Sequence, residues 1–537
     1  MTKKNTNKTS AKIIEGSKNI DEEIKISPKI LLGLTFSTAF LYFLYSKAAD
    51  GFYQQDEAAH FISMLEFWHN PNGVLSNWAK PGYKLIYAFP ALLGANFVSL
   101  FNCLLAAFSC FFAYKVAEKA GSKIAILAFA ATALQPLWIN LAFRNYSELL
   151  TSFLLILGVY FFQKQKFALS ALAVSYVAFI RQETYVILGI YGLYLLWKRQ
   201  FVPAFLLATF PLFQNFWGMT TNGDPLYLLH QITKQGGEIA SAYPRQGFDH
   251  YFLMSVTIFG GTVVTLFLAY LASIFLAKKQ PVYEILLPCL IYFLLHSIFN
   301  LKSFEIGPAG GGNLRYMLVI SPLLAVLATL AVEQIKDLEK KKELAIFLGI
   351  FILLAAIYLT YSNNLVVFKE ERDIKPLFAI VLTSFVVFLP LNRMALVGTF
   401  VGIMALTSLF VVKPIKKNEE EKVCEQMARW YENYEKSNGK RPLLLHHAMF
   451  FYYLNRTSYD FTPKTEIINE KNLAKSPKGS IIIWDSHYSY RPELRKDALP
   501  HTYFLGKSDE YRILHTEEAL TPDQMVSFAF IVFEKIK

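Results

Sequence analysis

What most limits this chain is a succession of long apolar runs joined by short connectors rich in Lys and Arg. A lipid core about 30 Å thick is crossed by roughly 20 apolar residues in helical form. Lipid offers the backbone no hydrogen bonds, so each run must satisfy its own, as a helix does. The runs that read as spans are 30–46, 82–114, 124–142, 147–162, 167–181, 184–197, 201–217, 251–277, 282–300, 314–333, 344–361, 376–391 and 394–412. The run 82–114 is longer than a crossing needs and is expected to tilt or break near Gly94. The expected fold is therefore an α-helical polytopic membrane protein of about 13 transmembrane helices.

Charge sets the orientation. The net charge of +12 does not describe a nucleic-acid binder, because the basic residues sit in small clusters between apolar runs, as topology signals do. Assigning every second connector to the cytoplasm collects Lys115, Lys119, Lys123, Lys198, Arg199, Lys278, Lys279, Lys336, Lys340 and Arg393 on that side. Residues 1–29 form a polar, Lys-rich cytoplasmic tail without a small-residue cleavage site, so the first span is read as an uncleaved anchor. The membrane domain is 30–412, with outer loops 47–81 and 218–250, and the expected location is a bacterial inner membrane. Residues 413–537 change character, with a charged helical stretch near 417–436 and short β-like runs at 442–447, 480–485, 511–514 and 527–533. They predict a small extracytoplasmic α/β domain that shapes acceptor entry. Cys103, Cys110, Cys289 and Cys424 offer neither a disulfide framework nor a metal-binding pair.

The first outer loop carries the strongest chemical signal. It contains Asp56, Glu57 and His60, followed by an amphipathic stretch through Glu66 and Trp68. A carboxylate just beyond a membrane span can accept a proton from a substrate hydroxyl. In a helix, Asp56 and His60 share a face. The plainer reading is a solvated acidic helix at the membrane surface. Later span ends add Arg144, Glu148, Arg181 and Glu183, and Arg315 follows the loop Gly307-Pro308-Ala309-Gly310-Gly311-Gly312-Asn313. Ionisable groups at the hydrocarbon boundary are costly and usually face a cavity or a partner. Singly, Arg144 could just pair with Glu148 at i,i+4, and Arg181 could snorkel to the interface. Together they describe a polar cavity on one side of the bilayer.

Such a set suits transfer of a sugar from a lipid-linked phosphate. A carboxylate activates the acceptor hydroxyl, and arginines stabilise the departing phosphate. Three other motifs carry less. Leu505-Gly506-Lys507-Ser508 lacks the earlier glycine of a phosphate-binding loop, which is His501 here. His446-His447 follows an apolar strand and reads as packing, and the sequons at Asn145 and Asn455 are too common to be informative.

The chain resembles the C-type (GT-C) superfamily of membrane glycosyltransferases, which use polyprenyl- or dolichyl-phosphate sugars. The group includes protein mannosyltransferases, the aminoarabinose transferase acting on lipid A, and dolichol-dependent mannosyltransferases. The resemblance rests on Asp56-Glu57, Asn77-Trp78-Ala79-Lys80-Pro81-Gly82, Arg144-Asn145-Tyr146-Ser147-Glu148, Arg181-Gln182-Glu183 and Asn313-Leu314-Arg315-Tyr316. It implies Asp56 as the catalytic base with Glu57 as second candidate. It further implies Lys80, Arg181 and Arg315, joined by Arg144, as phosphate or donor ligands. His60, Glu148, Glu183 and Tyr316 are the expected substrate-contacting residues. Some members need a metal, so Asp56, Glu57 and His60 are also candidate ligands for a divalent ion such as Mg or Mn. The implied partners are a polyprenyl-phosphate sugar donor and a lipid, glycan or protein acceptor. The rival readings are a polysaccharide polymerase or O-antigen ligase, and a lipid flippase or transporter.

Overall fold

The computed structural model describes residues 23–52, 54–76, 78–238, 245–301, 312–361, 375–492, 495–520 and 524–537. Residues 1–22 of the polar tail, Asn77, 239–244 of the second outer loop and Gly307–Gly311 lie outside the described residues. Every apolar run falls on helix. Among the described residues, five helices are long and apolar enough to cross a membrane by length and composition, including Pro28–Ala48, Ala95–Lys119 and Arg393–Val411.

Several runs are broken helices, and glycine and proline explain where. The run 82–114 splits into Pro81–Leu92 and Ala95–Lys119 at Gly94, whose φ of +93° is a conformation that glycine adopts without a side-chain clash. Gly260 at φ +84° divides His250–Phe259 from Gly261–Ala277. Pro136 starts a second short helix, Pro136–Leu141, after Ile126–Ala133. The helix Ser321–Lys336 lies at the centre of the membrane core. Its Ala325, Ala328 and Ala331 are fully buried, and such small residues let neighbouring helices approach closely.

The tail forms a four-stranded sheet in the order β1-β2-β4-β3, from β1 (Leu443–Leu445), β2 (Ile481–Asp485), β3 (Tyr511–Leu520) and β4 (Val526–Lys535). Strand β1 runs parallel to β2, and β4 is antiparallel to both β2 and β3. The helix Glu419–Asn438 begins with a capping box in which Asn418 and Glu421 satisfy each other's backbone amides.

This tail shares a core with the first outer loop. Phe52, Phe61 and Met64 of the loop belong to the same buried cluster as Val423, Met427, Phe450 and Phe451 of the tail. Polar contacts fix the match: the Met449 amide donates to Gln55 Oε1 at 3.1 Å and the Ser458 amide to Glu66 Oε1 at 3.1 Å. The Tyr452 ring lies 5.5 Å from Phe52 and 6.0 Å from Phe61.

Helix Pro81–Leu92 meets helix Phe167–Ile180 at Gly82. A Cβ there would stand 2.9 Å from Phe179 Cδ1 and 3.1 Å from the Phe179 backbone carbon. Gly82→Ala is therefore expected to cost about 1–3 kcal/mol of stability. Gly189→Ala, at a position with nothing within 4 Å, should leave the melting temperature of the solubilised protein unchanged.

Candidate active site

The loop helix Gln55–Glu66 opens with Asp56 and Glu57 in its first turn, where carboxylates offset the exposed amides of a helix start. The two neighbours point into different surroundings. Glu57 is fully buried and pairs with the buried Arg144 at 3.2 Å. Its carboxylate also accepts from the Asn145 amide at 3.1 Å, while the Asn145 side chain donates to the Glu57 carbonyl at 2.8 Å. Arg144 further donates to the Gly51 carbonyl at 2.7 Å, which binds the loop to the start of the helix Ser147–Gln163. Asp56 is the open one: its side chain is 43% exposed and lies 3.0 Å from Arg315 Nη2.

Glu148 occupies the centre of the cluster. It is fully buried in the first turn of its helix, 2.7 Å from Arg181 Nη1 and 3.3 Å from Arg315 Nε. Arg181 sits where the helix Phe167–Ile180 gives way to a short 3-10 turn, and it also pairs with Glu183. Lys80 Nζ donates to Ser147 Oγ at 3.0 Å, and Arg181 Nη1 reaches the same oxygen at 3.1 Å. The Lys80 backbone is left-handed at φ +57°, uncommon for a residue with a side chain, and Pro81 then starts the next helix. Burial, with help from Arg181, pushes the Lys80 ammonium down to about 8. Aromatic rings complete the walls: the Arg181 guanidinium is 4.8 Å from the Tyr316 ring and that of Arg315 is 4.2 Å from Tyr146.

His60, one turn beyond Asp56, faces elsewhere. Its Nδ1 lies 2.6 Å from Lys84 Nζ, and Lys84 also donates to the His60 carbonyl at 3.0 Å. Burial and the Lys84 charge hold His60 well below its usual pKa, so it is neutral. Asp56, Glu57 and His60 thus take separate partners in place of a shared centre. Among the described residues no group of three or more His, Cys, Asp or Glu side chains is arranged to hold a metal ion. The i,i+4 pair of Arg144 with Glu148 does not form either, since each turns to a different partner. The sequon at Asn145 is buried by its bonds to Glu57.

The structure thus brings Asp56, Lys80, Glu148, Arg181, Glu183, Arg315 and Tyr316 into one polar cluster, with the Glu57–Arg144 pair beside it. Lys84, Tyr292 and His296 are additions not singled out from the sequence. Lys84 carries one signal, as a lysine inside an apolar run one turn beyond Lys80. His296, 5.3 Å from the Tyr316 ring, carries another as a lone histidine in a span.

The fold, a helical core with a small sheet following it, is shared with solved structures. It is similar to two crystal structures of ArnT from Cupriavidus metallidurans. One, bound to undecaprenyl phosphate, is 12% identical with a TM-score of 0.58, over 94% of this chain and 98% of that one. The other, in the apo state, is 13% identical with a TM-score of 0.56, over 94% and 97%. At that identity the likeness is one of fold. No protein-family model matches the sequence, and no curated protein matches it.

Removing Arg144 takes the ion-pair partner from the buried Glu57 carboxylate. Arg144→Met is expected to cost about 3–5 kcal/mol, and Glu57→Gln added to it should restore part of the loss. Unfolding of the solubilised single and double variants measures both.

Proposed function

We propose that this protein transfers a sugar from a polyprenyl-phosphate-linked donor to an acceptor hydroxyl on the extracytoplasmic face of the membrane. Asp56 takes the proton of the acceptor hydroxyl. The freed oxygen attacks the anomeric carbon from the face opposite the phosphate, and the carbon–oxygen bond to phosphate breaks with its electron pair leaving on the phosphate. The new glycosidic bond has inverted configuration. Lys80, Arg181 and Arg315 hold the phosphate and the charge it gains, as cations do for departing phosphoryl oxygens. Glu148 and Glu183 keep the arginines aimed, and Glu57 with Arg144 fixes the loop that carries Asp56. The acceptor is a lipid, a glycan or a protein.

The observation that carries this reading is the contrast among the carboxylates. Side-chain exposure is 43% for Asp56, 10% for Glu183 and nil for Glu57 and Glu148. Only Asp56 of these four combines access for an acceptor with a place beside the cations. The likeness in fold to a structure holding undecaprenyl phosphate supports the choice of lipid carrier. Packing of the tail on the first loop supports one side for both, and the basic connectors favour the outer one.

Asp56→Asn should lower transfer from a labelled polyprenyl-phosphate sugar by about 10²–10⁴-fold, the usual worth of a positioned base. Unchanged transfer in that variant removes Asp56 from the mechanism. A second expectation concerns pH. Lys80 is charged below about pH 8 and neutral above it, so the affinity for the lipid phosphate should fall as pH rises through that value. Lys80→Arg should abolish this dependence, as an equilibrium binding titration across pH 7 to 10 would record.

A further inference from the structure

Near the half-open Asp56 stands a second open side chain, the Trp78 indole, which is 45% exposed. Its ring packs on that of His60, with centroids 4.9 Å apart and planes tilted by 30°. His60 lies one turn beyond Asp56 on the same helix, so base and indole are roughly 10 Å apart. The seat beneath the indole is rigid. His60 is buried, the edge of Tyr83 meets its ring at 5.7 Å, and the fully buried Lys84 grips it at both Nδ1 and the carbonyl. A lysine is costly to bury. Here it fixes a ring whose other side carries Trp78.

A neighbouring tryptophan shows what a membrane-surface role looks like. Trp68 is similarly exposed, but its Nε1 donates to the Ala88 carbonyl at 3.0 Å, on a helix that also exposes Phe89 and Leu92. Tryptophans of that kind sit at the boundary of lipid and water. Trp78 is instead tied to the helix of the base, and two residues along the chain Lys80 enters the polar cluster. The cations of that cluster turn inward, Lys80 to Ser147 and Arg181 to Ser147 and Glu148. Asp56 and Trp78 are left facing outward.

We infer that Trp78 is a stacking platform for the acceptor and that the acceptor is a saccharide. The C–H face of a sugar ring lies on the free face of the indole, and a hydroxyl of that sugar or of its neighbour reaches Asp56. This rests on the transferase reading above and narrows its acceptor. A sugar ring carries weakly positive C–H groups on its faces and hydroxyls round its rim. The electron-rich face of an indole matches the first, and a carboxylate that only accepts hydrogen bonds matches the second. A serine or threonine side chain brings a hydroxyl but no face to cover the ring.

The test is binding of the full chain, in lipid nanodiscs, to an immobilised array of mono- and oligosaccharides, read beside equilibrium binding of undecaprenyl phosphate. The wild-type chain should bind a subset of the glycans. Trp78→Ala should weaken that binding by about tenfold, the worth of one stacked ring, and Trp78→Phe should recover part of the loss. Both variants should keep the wild-type affinity for undecaprenyl phosphate, which shows them folded. A wild-type chain that binds no glycan overturns the inference, and so does a Trp78→Ala variant that binds glycans as the wild type does. Glycan binding that a polyprenyl-phosphate sugar displaces also overturns it, because the platform would then hold the donor's sugar. If the wild type binds no glycan yet transfers the sugar of that donor to a peptide, the saccharide acceptor falls and the transferase reading stands. A wild-type chain that neither binds undecaprenyl phosphate nor transfers from its glycosylated form sinks both.

Discussion

Two arginines from positions 181 and 315 can stand side by side only because the Glu148 carboxylate lies between them, 2.7 Å from one and 3.3 Å from the other. Like charges at such range repel strongly in a low-dielectric interior, and a lone buried carboxylate would be equally unfavourable. The three groups are stable as a set. Glu148 also lies in the first turn of its helix, where the peptide dipoles favour a negative charge. The rest of the cluster hangs on this set. Arg315 reaches onward to Asp56, and Arg181 shares Ser147 with Lys80, so one carboxylate organises side chains from four separate parts of the chain.

Neighbouring carboxylates are put to different uses by their surroundings. Asp56 and Glu57 are adjacent on one helix, yet successive helical side chains point about 100° apart, which is enough to send one into the protein and the other toward solvent. Glu57 is spent on Arg144 and the Asn145 backbone. Its burial gives the first loop a fixed seat, and on that seat Asp56 can remain half-open without wandering.

Much of the architecture was legible from local pattern. Apolar runs mark helices because lipid leaves the backbone no other choice, and the four strands of the tail fall on its short alternating or apolar stretches. The break at Gly94 was legible because a run too long for one crossing met a residue that tolerates positive φ. The breaks at Gly260 and Pro136 were read as continuous spans, since their flanks stay apolar on both sides. Composition also picked out the charged residues at the span ends. It did not reveal their pairing: Glu57 meets Arg144 across 87 positions and Asp56 meets Arg315 across 259, distances no local periodicity encodes. The i,i+4 spacing of Arg144 and Glu148 suggested a local pair that tertiary contacts displace. Lys84, Tyr292 and His296 were hidden by the apolar character of their own spans.

The docking of the tail on the first loop has a consequence for how the molecule is made. The Glu66–Ser458 contact joins residues 392 positions apart. At synthesis rates of about 5–20 residues per second, the helix Gln55–Glu66 must wait roughly 20 to 80 s for its partner surface to emerge. During that interval Phe52, Phe61 and Met64 have no tail to cover them. A nascent chain therefore carries Asp56 on an unseated helix until translation has passed the segment that clasps it.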